Sequence, residues 1–310
     1  MKLKKRIRIF LWSLLILFIL MNGIAFMHAY KFTHFTNASV ERTPKKLSFG
    51  QKIKTLFTGV NNPRPVNKEI PPRQFQTIKI KSNVELDCWF MKTDTQKGTV
   101  IIFHGYGGEK SSMLDKANVF LQLGYNTMLV DFMGSGKSEG NNTTIGYKEA
   151  EEVKDCFEYL AKNGFENIHL FGTSMGAVAI MKAIKDYSIQ PQSIILECPF
   201  GTMYKTVCAR FKALGVPTFP MAGLLVFWGG VQNNFQGFSH NPEEYAESIH
   251  CPTLLLYGEK DERVSRREIN NIYKNLKGKK RLALYPLSGH ENYLLKYKDN
   301  WISDIMNFIQ

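Results

Sequence analysis

Asn167-Ile168-His169-Leu170-Phe171-Gly172-Thr173-Ser174-Met175-Gly176-Ala177-Val178-Ala179-Ile180 is the stretch on which the reading of this chain turns. Asn167 to Phe171 is a short apolar run of the kind that forms a buried strand, and Met175 to Asp186 places apolar residues at helical spacing. Between them stands Gly172-Thr173-Ser174-Met175-Gly176, a G-x-S-x-G pattern. Its physical content is a very sharp turn from strand to helix: the serine is strained and exposed, and glycines two residues to either side let strand and helix approach. The same pattern recurs at Gly136-Lys137-Ser138-Glu139-Gly140, but Asn141-Asn142-Thr143-Thr144 follows, which is turn chemistry and not a helix. That copy also imitates the tail of a phosphate-cradling nucleotide loop. With Asp131 where the first glycine should stand, and no helix starting at Glu139 to present its amides, nucleotide hydrolysis is set aside.

Outward from this turn the chain alternates. Gln76 to Lys81 and Glu85 to Lys92 read as a hairpin, and Thr99 to Phe103 as a buried strand. Then come helix Ser112 to Leu123, strand Asn126 to Asp131, helix Tyr147 to Lys162, the strand and helix around Ser174, and strand Ser193 to Glu197. Strand Thr253 to Tyr257, helix Ser265 to Leu276, strand Arg281 to Tyr285 and helix Asn300 to Ile309 close the pattern. Strands and helices in this rhythm predict an α/β fold with a mostly parallel sheet covered on both faces, its site beyond the carboxyl ends of the strands. The rhythm breaks between Phe200 and Asn241, where an apolar, aromatic-rich insertion (about 200–241) is expected to cap the cleft.

A serine hydroxyl is a poor nucleophile until a base takes its proton and a third group orients that base. His290 follows the last strand and is the expected base for Ser174, with Asp261 as the acid at the end of the Thr253 to Tyr257 strand. Glu259, Glu262 and Glu197 are alternative acids. The oxyanion needs preorganised donors: the backbone N–H of Met175 at the helix start, and that of Tyr106 in the loop His104-Gly105-Tyr106-Gly107-Gly108.

The formal charge of +13 is not spread over this body. Residues 1–81 carry sixteen Lys or Arg against two acids, whereas residues 82–310 are nearly neutral, so no nucleic-acid partner is expected. Five cations precede Ile9 to Met27, a nineteen-residue run broken only by Ser13, Asn22 and Gly23. At 1.5 Å per residue it spans about 28 Å, enough to cross a bilayer once. Residues 1–30 therefore read as a cytoplasmic basic segment and transmembrane anchor, with the body on the extracytoplasmic side by the positive-inside rule. The rival is a signal peptide cleaved near Gly23-Ile24-Ala25, whose apolar region would be unusually long. Ser48 to Val60 shows an amphipathic helical pattern suited to a lipid surface or to docking on the body. Pro63, Pro65, Pro71 and Pro72 stiffen the end of a basic juxtamembrane segment and connector spanning 31–75. Five widely spaced cysteines without a C-x-x-C pair signal neither a disulfide framework nor a zinc site.

The phrases FHGYGGEKSSM, LVDFMGSGKSEG, LFGTSMGAVAI, CPTLLLYGEKDERV and SGHENYL resemble the α/β-hydrolases, in particular a bacterial branch with monoacylglycerol-lipase-like, serine-aminopeptidase-like and Bem46-like members. The resemblance covers 76–310 and departs from the branch at Phe132-Met133, where an x-Arg pair is usual. It implies an α/β-hydrolase domain with Ser174 as nucleophile, Asp261 as acid, His290 as base and main-chain donors at Tyr106 and Met175, working without a cofactor. The expectation is a single-pass, membrane-anchored serine hydrolase cleaving carboxylic esters of apolar or lipid-like acyl groups, with a peptidase or amidase, or a non-catalytic binding module, as alternatives. Its partners would be that acyl substrate and the bilayer, through residues 9–27; oligomeric state is left open.

Overall fold

A computed structural model describes residues 2–36, 57, 59–213 and 215–309. Eight strands form the main sheet: β1 (Gln76–Lys81), β2 (Glu85–Met91), β3 (Thr99–Phe103), β4 (Asn126–Val130), β5 (Ile168–Thr173), β6 (Ser193–Glu197), β7 (Thr253–Gly258) and β8 (Lys280–Tyr285). Their order is β8-β7-β6-β5-β3-β4-β2-β1. β1 and β2 pair antiparallel, β2 meets β4 antiparallel, and the other neighbours are parallel. The sheet is the doubly covered kind that the alternation predicted.

β3 to β7 are buried on both faces, so they read as unbroken apolar runs instead of alternating ones. Ile101, Phe103, Leu170 and Leu196 face one layer, which holds α3 (Glu149–Lys162), α4 (Met175–Tyr187) and α7 (Arg266–Asn275). Their sheet neighbours Val100, Ile102, Phe171 and Ile195 face the other, with α2 (Leu114–Gln122) and α8 (Lys298–Ile309). α3 starts two residues later than its periodicity indicates. The Glu149 carboxylate accepts from the hydroxyls of Thr143 and Thr144 (2.6 Å each) and from the amide of Gly146 (2.9 Å), which holds the preceding loop outside the helix. α2 likewise begins at Leu114, after a 3-10 turn over Lys110–Met113 whose Ser112 amide is capped by Glu109 (2.9 Å).

The insertion after β6 supplies two cap helices, α5 (Met203–Ala213) and α6 (Met221–Gln232). One finding departs from the expected separation of anchor and body. The apolar run lies in α1 (Lys2–Thr33), a helix long and apolar enough to cross a membrane. Its first part is exposed from Leu3 to Leu20, yet its last three turns are packed along α6. Ala25, Ala29 and Thr33 on α1 and Ala222, Val226 and Gly230 on α6 are the buried residues of the two helices, each set at four-residue spacing. Small side chains at this spacing let helix backbones approach closely. Trp228 donates to Asn22 Oδ1 (3.1 Å), Gln232 donates to the Phe26 carbonyl (2.9 Å), and the Phe26 and Trp228 rings meet edge to face at 5.3 Å. The connector is tied in too: Phe35–Thr36 pairs with Asn62–Pro63 as a short parallel ladder. The amphipathic pattern at Ser48 to Val60 lies outside the described residues except for Phe57, Gly59 and Val60.

Candidate active site

β5 ends at Thr173 and α4 begins at Met175, so Ser174 alone makes the turn, at φ 52° and ψ −109°. A non-glycine residue is held there only because its surroundings over-determine it. The Ser174 amide donates to the Glu197 carbonyl on neighbouring β6 (2.7 Å). A Cβ on Gly172 would stand 2.5 Å from the Ala177 nitrogen, and one on Gly176 would stand 2.5 Å from the Phe103 carbonyl oxygen. Both glycines of the pattern are therefore required by close backbone approach. The second copy does something else. Ser138 is buried, donates to the Asp131 carbonyl (2.6 Å) and accepts from the Asp87 amide (2.8 Å), a purely structural position.

The structure brings the three distant residues together. His290 Nε2 lies 3.0 Å from Ser174 Oγ, and His290 Nδ1 lies 2.7 Å from Asp261 Oδ2. Asp261 Oδ1 is occupied by the amides of Arg263 (2.7 Å) and Val264 (2.9 Å), so the carboxylate presents one oxygen to the imidazole. The acid and base loops are laced by the Lys260 amide on the Ser288 carbonyl (2.8 Å). Asn292 fixes the far end of the base loop, accepting from Lys116 Nζ (2.8 Å) and donating to Asp115 (2.6 Å). Burial pulls the His290 pKa down, but the Cys198 sulfur, 4.0 Å from Nε2, and the Asp261 carboxylate outweigh it and raise it to about 10. The site thus stabilises the positive charge that forms when the imidazole takes a proton.

The alternative acids are engaged elsewhere or stand apart. Glu197 is fully buried and accepts from Trp301 (3.1 Å) and Thr173 (3.2 Å); Glu259 pairs with Arg266 (3.0 Å); Glu262 is exposed on the cleft wall. Two of the other histidines, His169 and His240, bond Ser193 (2.8 Å) and Tyr245 (3.0 Å), and burial lowers each to about 4. They are neutral core groups.

The loop from His104 to Gly108 flanks Ser174, since Phe103 on β3 pairs with Gly172 on β5. His104 sets its start, with Nδ1 donating to the Gly105 carbonyl (2.8 Å) and Nε2 accepting from the Phe132 amide (3.1 Å). Its end is pinned by the Lys110 amide on Asp131 Oδ1 (2.7 Å), and the buried Lys110 ammonium bridges Asp131 and Asp87 (2.5 Å each). Tyr106 is where the N-terminal helix meets this loop. Its hydroxyl donates to the Phe32 carbonyl (2.7 Å) and accepts from Asn62 Nδ2 (2.8 Å), and its ring stacks on Phe32 at 4.7 Å. No local pattern pointed to this contact, which joins residues 74 positions apart. Cys198 was legible only as a cysteine, although its position just past the carboxyl end of β6 is where such sheets place their sites. The five cysteines are all unpaired.

The chain thus combines a parallel sheet extended at one side by the antiparallel β1–β2 hairpin, a Ser174 elbow after β5, and Asp261 and His290 after β7 and β8. Residues 94–247 match the family described as Hydrolase_4, serine aminopeptidase, S33. The Pyrococcus furiosus esterase Pf2001 superposes with a TM-score of 0.69 at 25% identity, over 81% of this chain and 97% of that one. The chain belongs to the α/β-hydrolase superfamily. Among curated relatives this α/β-hydrolase is 24% identical to the Bacillus subtilis (strain 168) protein YqkD, over 68% of the chain and 70% of the relative. It is also 24% identical to the lysophosphatidylserine lipase ABHD12 of Danio rerio, over 71% of the chain and 60% of that relative.

Beside Ser174 the α/β-hydrolase sheet opens into a cleft of about 830 Å³ that His290, Tyr106 and Gly107 share with cap residues Ala209 and Arg210. A separate narrow apolar cavity of about 50 Å³ lies between α1 and the cap, lined by Ala29, Phe32, Leu225 and Val226 among others. The stacked rings of Phe32 and Tyr106 link the two, since Phe32 borders the cavity and Tyr106 the cleft.

Proposed function

We propose that this protein is a membrane-anchored serine hydrolase that cleaves carboxylic esters of apolar or lipid-like acids through an acyl-enzyme. The observation that carries the reading is His290, placed between Ser174 Oγ at 3.0 Å and Asp261 Oδ2 at 2.7 Å beside a strained elbow. With Nδ1–H donated to Asp261, the Nε2 lone pair takes the Ser174 proton as Oγ attacks the ester carbonyl. The tetrahedral oxyanion is held by the backbone N–H groups of Met175 and Tyr106, each worth about 3–4 kcal/mol of barrier. The imidazolium, stabilised by Asp261, then protonates the leaving alcohol, and water releases the acid by the same steps in reverse roles.

The similarity to an esterase structure supports ester hydrolysis, and the similarity to a lysophosphatidylserine lipase supports a lipid-like substrate. The anchor is α1, with the basic N-terminus cytoplasmic and the catalytic body on the other side of the membrane. Phe219, Phe227 and Val231 on the cap are exposed beside the helix it packs on, an apolar surface suited to the lipid interface. The family description favours a second reading, an aminopeptidase. A free amino terminus calls for an unpaired carboxylate, however, and the cleft offers Glu262 against three cations.

A fluorophosphonate probe should label the full-length protein and leave Ser174→Ala unlabelled; absence of labelling in both identifies a binding module instead. Hydrolysis of p-nitrophenyl acyl esters without hydrolysis of aminoacyl anilides separates esterase from peptidase.

A further inference from the structure

The cleft beside His290 is lined by Arg210 from the cap and by Lys260 and Arg263 from the acid loop. None of the three has an ion-pair partner among the described residues, whereas nearby acids are taken: Glu259 by Arg266 at 3.0 Å and Glu243 by Lys205 at 2.6 Å. Glu262 is the single acid on the same wall. Arg210 is the most constrained cation. Its guanidinium lies over the rings of Phe32 (4.2 Å) and Tyr106 (5.2 Å), which fixes its plane while leaving its N–H donors without an acceptor among the described residues. Burial holds its pKa below the ordinary arginine value, against an opposing pull from Tyr106, and the positive charge of Arg263 lowers it further, a repulsion that a bound anion would relieve.

Depth identifies the anion. Phe32 lies five residues beyond Met27, the end of the apolar run, and five residues of helix rise about 7.5 Å. The headgroup layer extends roughly that far beyond the hydrocarbon core. With α1 spanning the bilayer, the cleft mouth therefore stands at the level of lipid phosphates, and the rigid guanidinium fork matches phosphate oxygens.

We propose that Arg210, Arg263 and Lys260 form a phosphate-binding subsite beside His290, and that the ester taken there is a single-chain lipid whose alcohol carries a phosphate or phosphodiester. This rests on the hydrolase reading for the chemistry and on the cleft alone for the binding, so the two are tested apart. The test uses full-length Ser174→Ala protein in neutral detergent micelles and ether lipids, which have no ester to cleave: 1-O-hexadecylglycerol, its 3-phosphate, and glycerol 3-phosphate without a chain. The phosphate-bearing ether lipid should bind at least tenfold more tightly than the neutral one, about 1.4 kcal/mol. Adding Arg263→Glu and Lys260→Glu should abolish that preference, while the remote Lys162→Glu should keep it. Both substituted side chains of the double variant are exposed, so folding is preserved. Equal affinity for the charged and neutral ether lipids, or a preference untouched by the double charge reversal, overturns the subsite. Binding of glycerol 3-phosphate as tight as that of its ether lipid keeps the phosphate site but assigns it to soluble esters. Fluorophosphonate labelling of wild type reports on the hydrolase reading independently of these affinities.

Discussion

Gly176→Ala tests whether the elbow geometry sets the rate. The added methyl group would stand 2.5 Å from the Phe103 carbonyl oxygen and 2.8 Å from that of His104. Both contacts are backbone, so no flexible side chain can yield. Reaching an ordinary 3.4 Å contact requires the start of α4 to move about 0.9 Å away from β3. The proposed Met175 donor sits on the moving side and the Tyr106 loop on the fixed side, so the proposed oxyanion pocket would widen by that amount. A misplacement near 1 Å costs on the order of 100-fold in rate. Overpacking adds about 1–3 kcal/mol of destabilisation, several degrees in Tm for a domain of this size. The assay is kcat on p-nitrophenyl butyrate beside a thermal melt. Gly223→Ala on α6 is the control: nothing lies within 4 Å of the new methyl, and alanine favours a helix. A Gly176→Ala enzyme with wild-type kcat would refute the assignment of the oxyanion pocket to these two loops, and an unchanged Tm would refute the packing argument.

His290→Gln should keep a folded protein and lower kcat by about 10⁴ or more, and a rate near wild type would remove His290 from the mechanism. If His290 is the base it acts as neutral imidazole, so kcat/KM should rise with pH above 6.5 toward about 10, and Cys198→Ala should move that limb to lower pH. The imidazolium's contribution to stability runs the opposite way: because the folded pKa is raised, it is complete below about 6.5 and is lost as pH climbs through about 10. A pH–rate profile and melts across the same range check both. Deleting residues 1–33 should not yield a well-behaved soluble enzyme, since it uncovers Ala222, Val226 and Gly230 and removes the Phe32 contact to Tyr106. A monomeric truncated protein with wild-type kcat and Tm would make that docking incidental.

The elbow and the alternation of strands and helices were legible in the sequence because their determinants are local. Two glycines, a strand-length apolar run and a helical repeat lie within twenty residues of Ser174, and each is a backbone requirement that few sequences satisfy. Asp261 and His290 were legible through position, each just past a strand end. What could not be read was contact between distant surfaces. Asn22 is one of the few interruptions of the apolar run Ile9 to Met27, but nothing local could identify Trp228, 206 residues away, as its partner. Nothing in the sequence singled out Arg210 within the insertion. Its placement over Phe32 and Tyr106 depends on how α1 and the cap come together.

The clamping of α6 to α1 also changes what kind of lid the cap can be. A free cap opens by swinging on its own loops, whereas this one is fastened along the last three turns of α1, the helix proposed to span the membrane. With α1 spanning the membrane, widening the cleft from the cap side means tilting or turning that helix, work done against the surrounding acyl chains. If α1 spans the bilayer as proposed, membrane thickness and fluidity enter the energetics of cap opening, and turnover in thin and thick membranes would report on cap movement.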